Sequence, residues 1–205
     1  MIDSTLSPAL TLPQDAQDLL FREARTPNAF TDDPVTDEQL REIHDLVRWA
    51  PTSMNQQPLR VVAVRSPEQR AALVDAMMGG NQAKTQDAPL TLIFAADKDF
   101  HDNLVTQFPA NPGARDLFEG FGREGREGSA RLNAALQIGY WVLGVRAAGL
   151  AIGPMTGVDF AKVDQTFFPD GRHTALVVAN VGRPDDSSYY PRGPRLDLDD
   201  VLTTV

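Results

Sequence analysis

The chain contains no cysteine, which excludes disulfide cross-links, thiolate nucleophiles and cysteine-ligated metals at once. Histidine is scarce: His44, His101 and His173 are all there is. None stands at the close spacing of metal ligands, so each reads as a surface or internally satisfied residue. No Gly-x-Ser-x-Gly elbow and no Walker sequence occur. A Ser-His-Asp grouping stays open only as something that folding would have to assemble. Positive charge is short as well. The formal net charge is −9 over 205 residues, and no Lys/Arg cluster is interleaved with aromatics, so nucleic acid is not an expected partner. The longest apolar-rich run without charge, Leu132 to Val145, is too short to span a bilayer, and no membrane partner is expected. Met1 to Pro13 holds Asp3, no basic residue and no continuous apolar core; it lacks the parts of a secretory signal, and a cytoplasmic address is the expectation.

What is present is globular in composition, with 42% hydrophobic and 23% charged residues. Without a repeat, a linker or a composition shift, residues 1–205 read as one domain. Residues 1–13 are expected to be flexible, and the proline-rich end, 183–205, to be an extended tail. Gln14 to Ala24 reads as a helix. Thr36-Asp37-Glu38-Gln39 is a capping box opening a second, with Leu40, Ile43, Val47 and Ala50 on one face. Leu59 to Arg65 is a valine-rich strand. Ser66-Pro67-Glu68-Gln69 then starts a helix as a second capping box with proline at the first helical position, running to about Met78 and stopped by Gly79-Gly80. A short helix at Asn81 to Asp87 and a buried strand at Pro89 to Ala96 follow, then a helical Asp97 to Phe108. Asn111 to Gly128 degrades into glycine, proline and paired charges and is expected to be mobile. Ser129 to Leu150 is the strongest helix. Leu132, Ala135, Leu136, Gly139, Val142 and Leu143 share one face, while Ile138, Trp141, Val145 and Ala148 cover much of the other. That helix suits both a core and a subunit interface. Asp159 caps a short helix to Phe168, and His173 to Val181 is a buried strand. Helices and strands mix without βαβ alternation, which points to the α+β class.

Two motifs fail on context. Gly120-Phe121-Gly122-Arg123-Glu124-Gly125 matches the dinucleotide pattern G-x-G-x-x-G, but no buried strand precedes it and no acid follows about 20 residues on, so a flexible loop is the reading. Asp97-Lys98-Asp99-Phe100-His101-Asp102 has the acids of a metal loop without its glycine at position 6 or glutamate at position 12, and reads as a solvated helix start.

Five segments combine better. Pro51-Thr52-Ser53-Met54-Asn55-Gln56-Gln57-Pro58 ends a helix with polar amides just before a strand. Arg25-Thr26-Pro27-Asn28 offers a cation and a hydroxyl, groups that bind phosphate together. Asn81 and Lys84 sit at i, i+3, on one face of a helix. Gly153-Pro154-Met155-Thr156-Gly157 can bring backbone N–H groups close to a ring. Arg192-Gly193-Pro194-Arg195 adds two cations near the C-terminus. Taken singly, each also reads as a loop, a solvated helix, a tight turn or a stiffened tail.

Taken in chain order, the segments resemble the nitroreductase family of FMN-dependent oxidoreductases over about residues 18 to 196. Within it, Glu23 to Thr26, Pro51 to Ser53, Asn81 to Thr85, Gly153 to Met155, Ala161-Lys162-Val163-Asp164 and Pro191 to Leu196 look most like the malonic semialdehyde reductases of uracil degradation. The resemblance implies a mixed central sheet surrounded by helices, in an intertwined homodimer with one FMN in each of two interface pockets. It places Arg25, Thr26, Asn28, Arg192 and Arg195 near the FMN phosphate and ribitol, and Ser53, Asn55 and Gln57 near the ring or ribitol from the other subunit. Asn81 and Lys84 would face the pyrimidine edge, with Lys84 as electrostatic support. Pro154, Met155, Thr156 and Gly157 would cover the other side. No further catalytic side chain and no metal is implied.

The activity implied is ping-pong reduction of a small acceptor by NADPH or NADH, first malonic semialdehyde to 3-hydroxypropionate, and otherwise nitroaromatics or quinones. A flavin-binding or flavin-degrading protein without external acceptor is the alternative of another class. Several positions depart from the family pattern. Ala24 and Asn28 are neutral where basic residues are frequent, Leu59 replaces an aromatic, and Gln56 and Gln57 are larger than a small aldehyde's pocket would lead one to expect.

Overall fold

The computed structural model describes residues 10–205, so residues 1–9 of the expected flexible start lie outside the described residues. Helix α1 (Gln14–Gln17) continues as a π-helical turn, Asp18–Arg22. Helix α2 (Asp37–Val47) opens on the capping box read from the sequence: Gln39 N–H donates to Thr36 Oγ1 at 3.1 Å and Thr36 N–H to Gln39 Oε1 at 2.9 Å. Ile43, Val47 and Ala50 are buried, as their spacing requires. Strand β1 (Leu59–Val64) leads to α3 (Pro67–Ala76), where Ser66 accepts from Gln69 N–H at 3.2 Å. The reciprocal half of this second box is absent. The helix ends at Ala76 rather than Met78, because Met77 turns out to bridge Val158. Helix α4 (Asn81–Asp87) and strand β2 (Leu90–Asp97) follow as expected.

The stretch expected to be mobile is instead helical. After a 3-10 turn at Phe100–Asn103 come α5 (Leu104–Gln107), α6 (Ala114–Gly120) and α7 (Gly122–Ala147), the last starting seven residues before Ser129. Burial explains the difference. Phe118 packs edge-on against Phe100 at 5.0 Å between ring centroids, with Leu104, Ala114, Ala130 and Ala134 around them. Local composition favours disorder; this non-local apolar cluster outweighs it. The dinucleotide-like glycines accordingly lie in helix rather than in the flexible loop expected.

Strand β3 (Ala151–Met155), helix α8 (Phe160–Phe167) and strand β4 (His173–Gly182) complete the core. Asp159 caps α8 by accepting from Lys162 N–H at 3.1 Å. The tail is extended except for a 3-10 turn at Asp186–Ser188 and α9 (Leu198–Val201).

The sheet has the order β1-β2-β4-β3. The α+β class holds, but the sheet is not mixed: every pairing among the described residues is antiparallel. The helices between β1 and β2, and between β3 and β4, return the chain to the end at which it left, so adjacent strands run in opposite directions. β2 is buried along its whole length, because Leu90, Leu92 and Phe94 meet α2 and α7 on one face while Ile93 meets α3 and α8 on the other. Helix α7 buries Ala134, Ile138, Trp141 and Val145 against the sheet, yet Leu132, Leu136 and Tyr140 are 66%, 51% and 42% exposed. The helix is therefore buried on one side only within the chain, and the face of Leu132 and Leu136 is open. No helix among the described residues is long and apolar enough to cross a membrane.

Candidate functional site

Edge strand β3 and the start of α4 enclose a cavity of about 200 Å³ lined by Thr26, Pro27, Asn28, Phe30, Asn81, Lys84, Gly153, Pro154, Met155 and Asn180. Of the candidate residues singled out in the sequence, Thr26, Asn28, Asn81, Lys84, Pro154 and Met155 thus converge. Asn81 and Lys84 stand one turn apart on α4, whose C-terminal carbonyls are held by Arg70: its guanidinium donates to Thr85 O at 2.8 Å and Ala88 O at 2.6 Å. Burial lowers the pKa of Arg70. Asn81 Nδ2 donates to Gly157 O at 3.2 Å, and Lys84 Nζ donates to Asn28 Oδ1 at 2.6 Å. A Cβ on Gly153 would lie 3.2 Å from Thr26 Cγ2, and one on Gly157 would lie 2.7 Å from Asn81 Nδ2. Both positions keep the chain close to its neighbours only while they lack a side chain. Thr156 lies exposed between Met155 and Gly157.

The segment carrying Arg25 and Asn28 is zipped to the start of the tail. Asn28 and Ala29 N–H both donate to Ser188 Oγ at 3.1 Å, Thr31 N–H donates to Arg183 O at 3.0 Å, and Asp185 N–H donates to Ala29 O at 3.2 Å. The Arg25 guanidinium lies 4.4 Å from the centre of the Tyr189 ring, a cation–π contact. Arg192 Nη2 donates to Ala24 O at 3.3 Å, whereas the exposed Arg195 bonds the carbonyls of its own Gly193 and Pro194. A residue not anticipated joins them. Arg146, in the last turn of α7, donates to Leu20 O at 2.8 Å and lines a second cavity beside Arg25 and Tyr189. Burial lowers its pKa, and the nearby Arg192 cation adds to the effect. Nothing in the helical pattern around Arg146 distinguishes it from a surface arginine.

Ser53, Asn55 and Gln57 do not join this group. They precede β1, at the opposite edge of the sheet, three strand spacings or roughly 14 Å across. Here the backbone is strained: Met54, Asn55 and Gln57 have φ of 48°, 53° and 45°. Left-handed backbone costs a non-glycine residue roughly 1 kcal/mol or more and persists only where surroundings hold it. Ser53 N–H donates to Asn133 Oδ1 at 2.8 Å, Asn55 Nδ2 to Gln107 O at 2.7 Å, and Gln57 Nε2 reaches Gln107 Oε1 at 3.3 Å. Gln56 is 1% exposed, with Oε1 accepting from Ser129 Oγ and Nε2 unpartnered. It therefore lines no pocket. A cavity of about 300 Å³ beside this run is lined by Arg48, Trp49, Pro51, Thr52, Asn55, Gln57 and Gln107, and Trp49 is 79% exposed.

Arg60, at the exit of the strained run, donates to Gln57 O at 3.0 Å and to Asp97 Oδ2 at 2.8 Å. Asp97 is 1% exposed and also takes Arg172 Nε at 2.8 Å. Burial raises its pKa, but the Arg172 hydrogen bond, the Asp99 N–H and the Arg60 charge together hold it below the usual carboxylate range. His101, 3% exposed, lies 2.6 Å from Glu119, which Arg126 also contacts at 3.3 Å. Chiefly through His101, then Arg126, the Glu119 carboxyl is held low. The segment Asp97 to Asp102 is thus a partly buried ion-pair network rather than the solvated helix start expected. Among the described residues no group of His, Asp and Glu could hold a metal.

Comparison with known proteins agrees with this geometry. The family model described as the nitroreductase family matches residues 21–183. A Streptomyces coelicolor protein with the provisional name NADH dehydrogenase/NAD(P)H nitroreductase is 56% identical over 197 residues, covering 96% of this chain and all of its own length. A Leptothrix cholodnii protein of the same provisional name is 45% identical over 91% of this chain and 94% of its own. Among solved structures, a provisionally named nitroreductase from Exiguobacterium sibiricum, crystallised in complex with FMN, has a TM-score of 0.82 at 19% identity, covering 94% of this chain and 98% of that one. At that identity the likeness speaks for the fold. The family model and the sequence relatives go further: this chain belongs to the nitroreductase family.

Proposed function

We propose that the chain, as one domain over 1–205 working in the cytoplasm, is an FMN-dependent NAD(P)H oxidoreductase. Two copies share two clefts, and malonic semialdehyde, reduced to 3-hydroxypropionate, is the leading acceptor. The observation that carries this reading is Lys84. Its ammonium borders the β3 cavity, donates to a neutral oxygen of Asn28 and has no carboxylate within ion-pair distance among the described residues. A cation so placed suits a ligand that gains negative charge during reaction.

The donor set fits FMN. Gly153 and Gly157 let the chain at the end of β3 lie close against Thr26 and Asn81, where a Cβ would crowd those side chains, Arg25, Arg192 and Arg195 offer cations to a phosphate, and Asn81 and Lys84 offer donors to a polar ring edge. FMN bound there supplies two-electron transfer between a nicotinamide and an acceptor that use the same space in turn. The side chains then have simple tasks. Lys84 balances the added charge, Pro154 to Gly157 cover one side, with backbone N–H offered by the residues after Pro154, and the arginines fix the phosphate. No side-chain acid or base is required for hydride delivery itself.

The need for a second copy follows from size and place. A cavity of about 200 Å³ is below the 300–1,000 Å³ or so typical of ligand pockets, and Ser53, Asn55 and Gln57 lie at the far edge of the same sheet. The exposed Leu132, Leu136 and Tyr140 of α7 offer an apolar surface for pairing. The acceptor is supported by the likeness of Glu23 to Thr26, Ala161 to Asp164 and Pro191 to Leu196 to the semialdehyde reductases. It is also supported by Gln56, which is buried against α7 and takes no room from a small aldehyde. Nitroaromatic or quinone reduction is the second reading, favoured by the names of the relatives. The test is an acceptor panel on FMN-loaded protein with both nicotinamides. Turnover of malonic semialdehyde above that of nitrofurans and quinones supports the first reading, the reverse order the second, and inactivity toward all of them overturns both.

A further inference from the structure

We infer that Asn28 is a positioning residue: it does not hold the ligand itself but fixes the Lys84 ammonium and ties it to the docking of the tail segment 183–189. The inference rests on the function proposed above for its consequence, though not for its geometry. Lys84 can only donate, so the 2.6 Å contact must be to the amide oxygen of Asn28. Ser188 O can only accept, so the 2.8 Å contact on the other side must come from the amide nitrogen. Both ends are engaged, and the carboxamide has one orientation that satisfies them. The Asn28 backbone is fixed too, since its N–H donates to Ser188 Oγ at 3.1 Å.

Other side chains at this position fail for identifiable reasons. Lysine or arginine would repel the Lys84 ammonium. Aspartate would keep one oxygen toward Lys84 but turn the other against the Ser188 carbonyl, and its charge would cancel the ammonium's field. Alanine would release both partners. A neutral, two-headed amide leaves the cation's charge undiminished while restricting where it points. When Ser188 is docked, Asn28 is held and Lys84 with it. The segment that continues into Arg192 and Arg195 therefore influences the cation at the opposite end of the cleft.

The test compares Asn28→Ala, Asn28→Asp, Lys84→Ala and the Lys84→Ala/Asn28→Ala double variant by the two-electron potential of the bound flavin. Lys84→Ala and Asn28→Ala are both expected to move it negative. A tenfold loss in preference for the reduced form corresponds to about 30 mV. Asn28→Asp should move it further than Asn28→Ala, and Asn28→Ala should add nothing once Lys84 is gone. An unchanged potential in Asn28→Ala, or equal effects with and without Lys84, overturns the inference. A second measurement needs no flavin: acylation of Lys84 in the protein free of FMN, followed by peptide mass spectrometry, should run several-fold faster in Asn28→Ala than in the parent. Failure of the protein to bind FMN would sink the proposed function while leaving this rate to decide Asn28; an unaltered rate refutes its hold on Lys84. If the alanine variant does not fold, Asn28→Asp, nearly isosteric, serves in its place: the flavin potential should fall and acylation of Lys84 should slow rather than quicken, and no change in either overturns the inference.

Discussion

The β3 half of the candidate site is made of charge and glycine, whereas the β1 half is made of neutral amides on strained backbone. On the first side the Lys84 ammonium borders the β3 cavity, Arg25 and Arg146 line the neighbouring one, and Gly153 and Gly157 let the chain lie close against Thr26 and Asn81. On the second, Met54, Asn55 and Gln57 take left-handed backbone and are held from outside by Asn133, Gln107 and Arg60. The difference teaches how labour can be divided in a shared cleft. Charge acts over distance and tolerates small adjustments, so it can sit on a helix start and an edge strand. Shape does not tolerate them, and the half that presents shape carries the strain and the buried supports.

The largest expected effect breaks the comparison if the halves belong to one chain. Lys84→Ala damages one half and Ser53→Trp blocks the other, and each homodimer alone should reduce acceptor at a few per cent of the parent rate or less. Unfolding and refolding the two together should restore roughly a quarter of the parent activity, because about half of the dimers formed are mixed and each mixed dimer has one undamaged cleft. No recovery, with mixed dimers verified by mass, would place both halves in the same subunit's site.

Next in size is Lys84→Ala alone. Flavin reduction measured by stopped flow should slow by about 10²-fold, the usual cost of removing one group aimed at developing negative charge. Thermal stability should stay close to that of the parent, because the lysine lines a cavity and packs into no core cluster. An unchanged rate removes Lys84 from the chemistry and leaves the β3 half without its distinguishing feature.

The strained half is expected to respond in stability rather than rate. Gln57 has φ 45°, where a β-branched side chain is least tolerated, so Gln57→Val should lower unfolding free energy by about 2 kcal/mol, while Gln57→Gly should change it by less than about 1 kcal/mol. Denaturant melts of the two variants decide this; equal loss in both would mean that the glutamine's contacts, and not its backbone, set the cost.

Some of this contrast was legible in the sequence and some was not. The Thr36 capping box, the continuous apolar run of β2 and the i, i+3 placement of Asn81 and Lys84 are local or periodic signals, and the structure keeps each. The helix through Gly122 to Gly128 was not legible, because what orders it lies elsewhere: Phe118 on Phe100, and Arg126 on Asp99 and Glu119. The same holds for Asp97 and His101, whose neighbours in sequence are charged but whose neighbours in space include arginines 60 and 172 and Glu119. Arg146 carried no signal at all, since a periodic pattern marks a face and says nothing of which polar residue on it meets a partner; Gln56 was marked by its size, but not by its burial against α7.

The smallest effect at neutral pH concerns the clamp behind the strained run. Arg60 links Gln57 O to Asp97, and Asp97 N–H donates to Pro58 O at 2.8 Å, so this buried carboxylate braces the exit from residues 54–57. Its folded pKa is depressed. A depressed carboxylate contributes stability that is fully present above the unfolded value of about 3.9 and is lost as pH falls toward the folded one. Unfolding free energy should therefore be flat with respect to this group from pH 7 down to about 5 and decline below about 4. The first region to loosen should be the β1 half, because among the described residues no carboxylate in ion-pair contact braces Lys84 on the other side. Amide exchange at Gln57 and Leu59 followed against pH reads this directly. Exchange that accelerates equally around Asn81 and Gly157 would show that acid loosens the two halves alike, and that the support of the strained run is not specific to the Asp97 clamp.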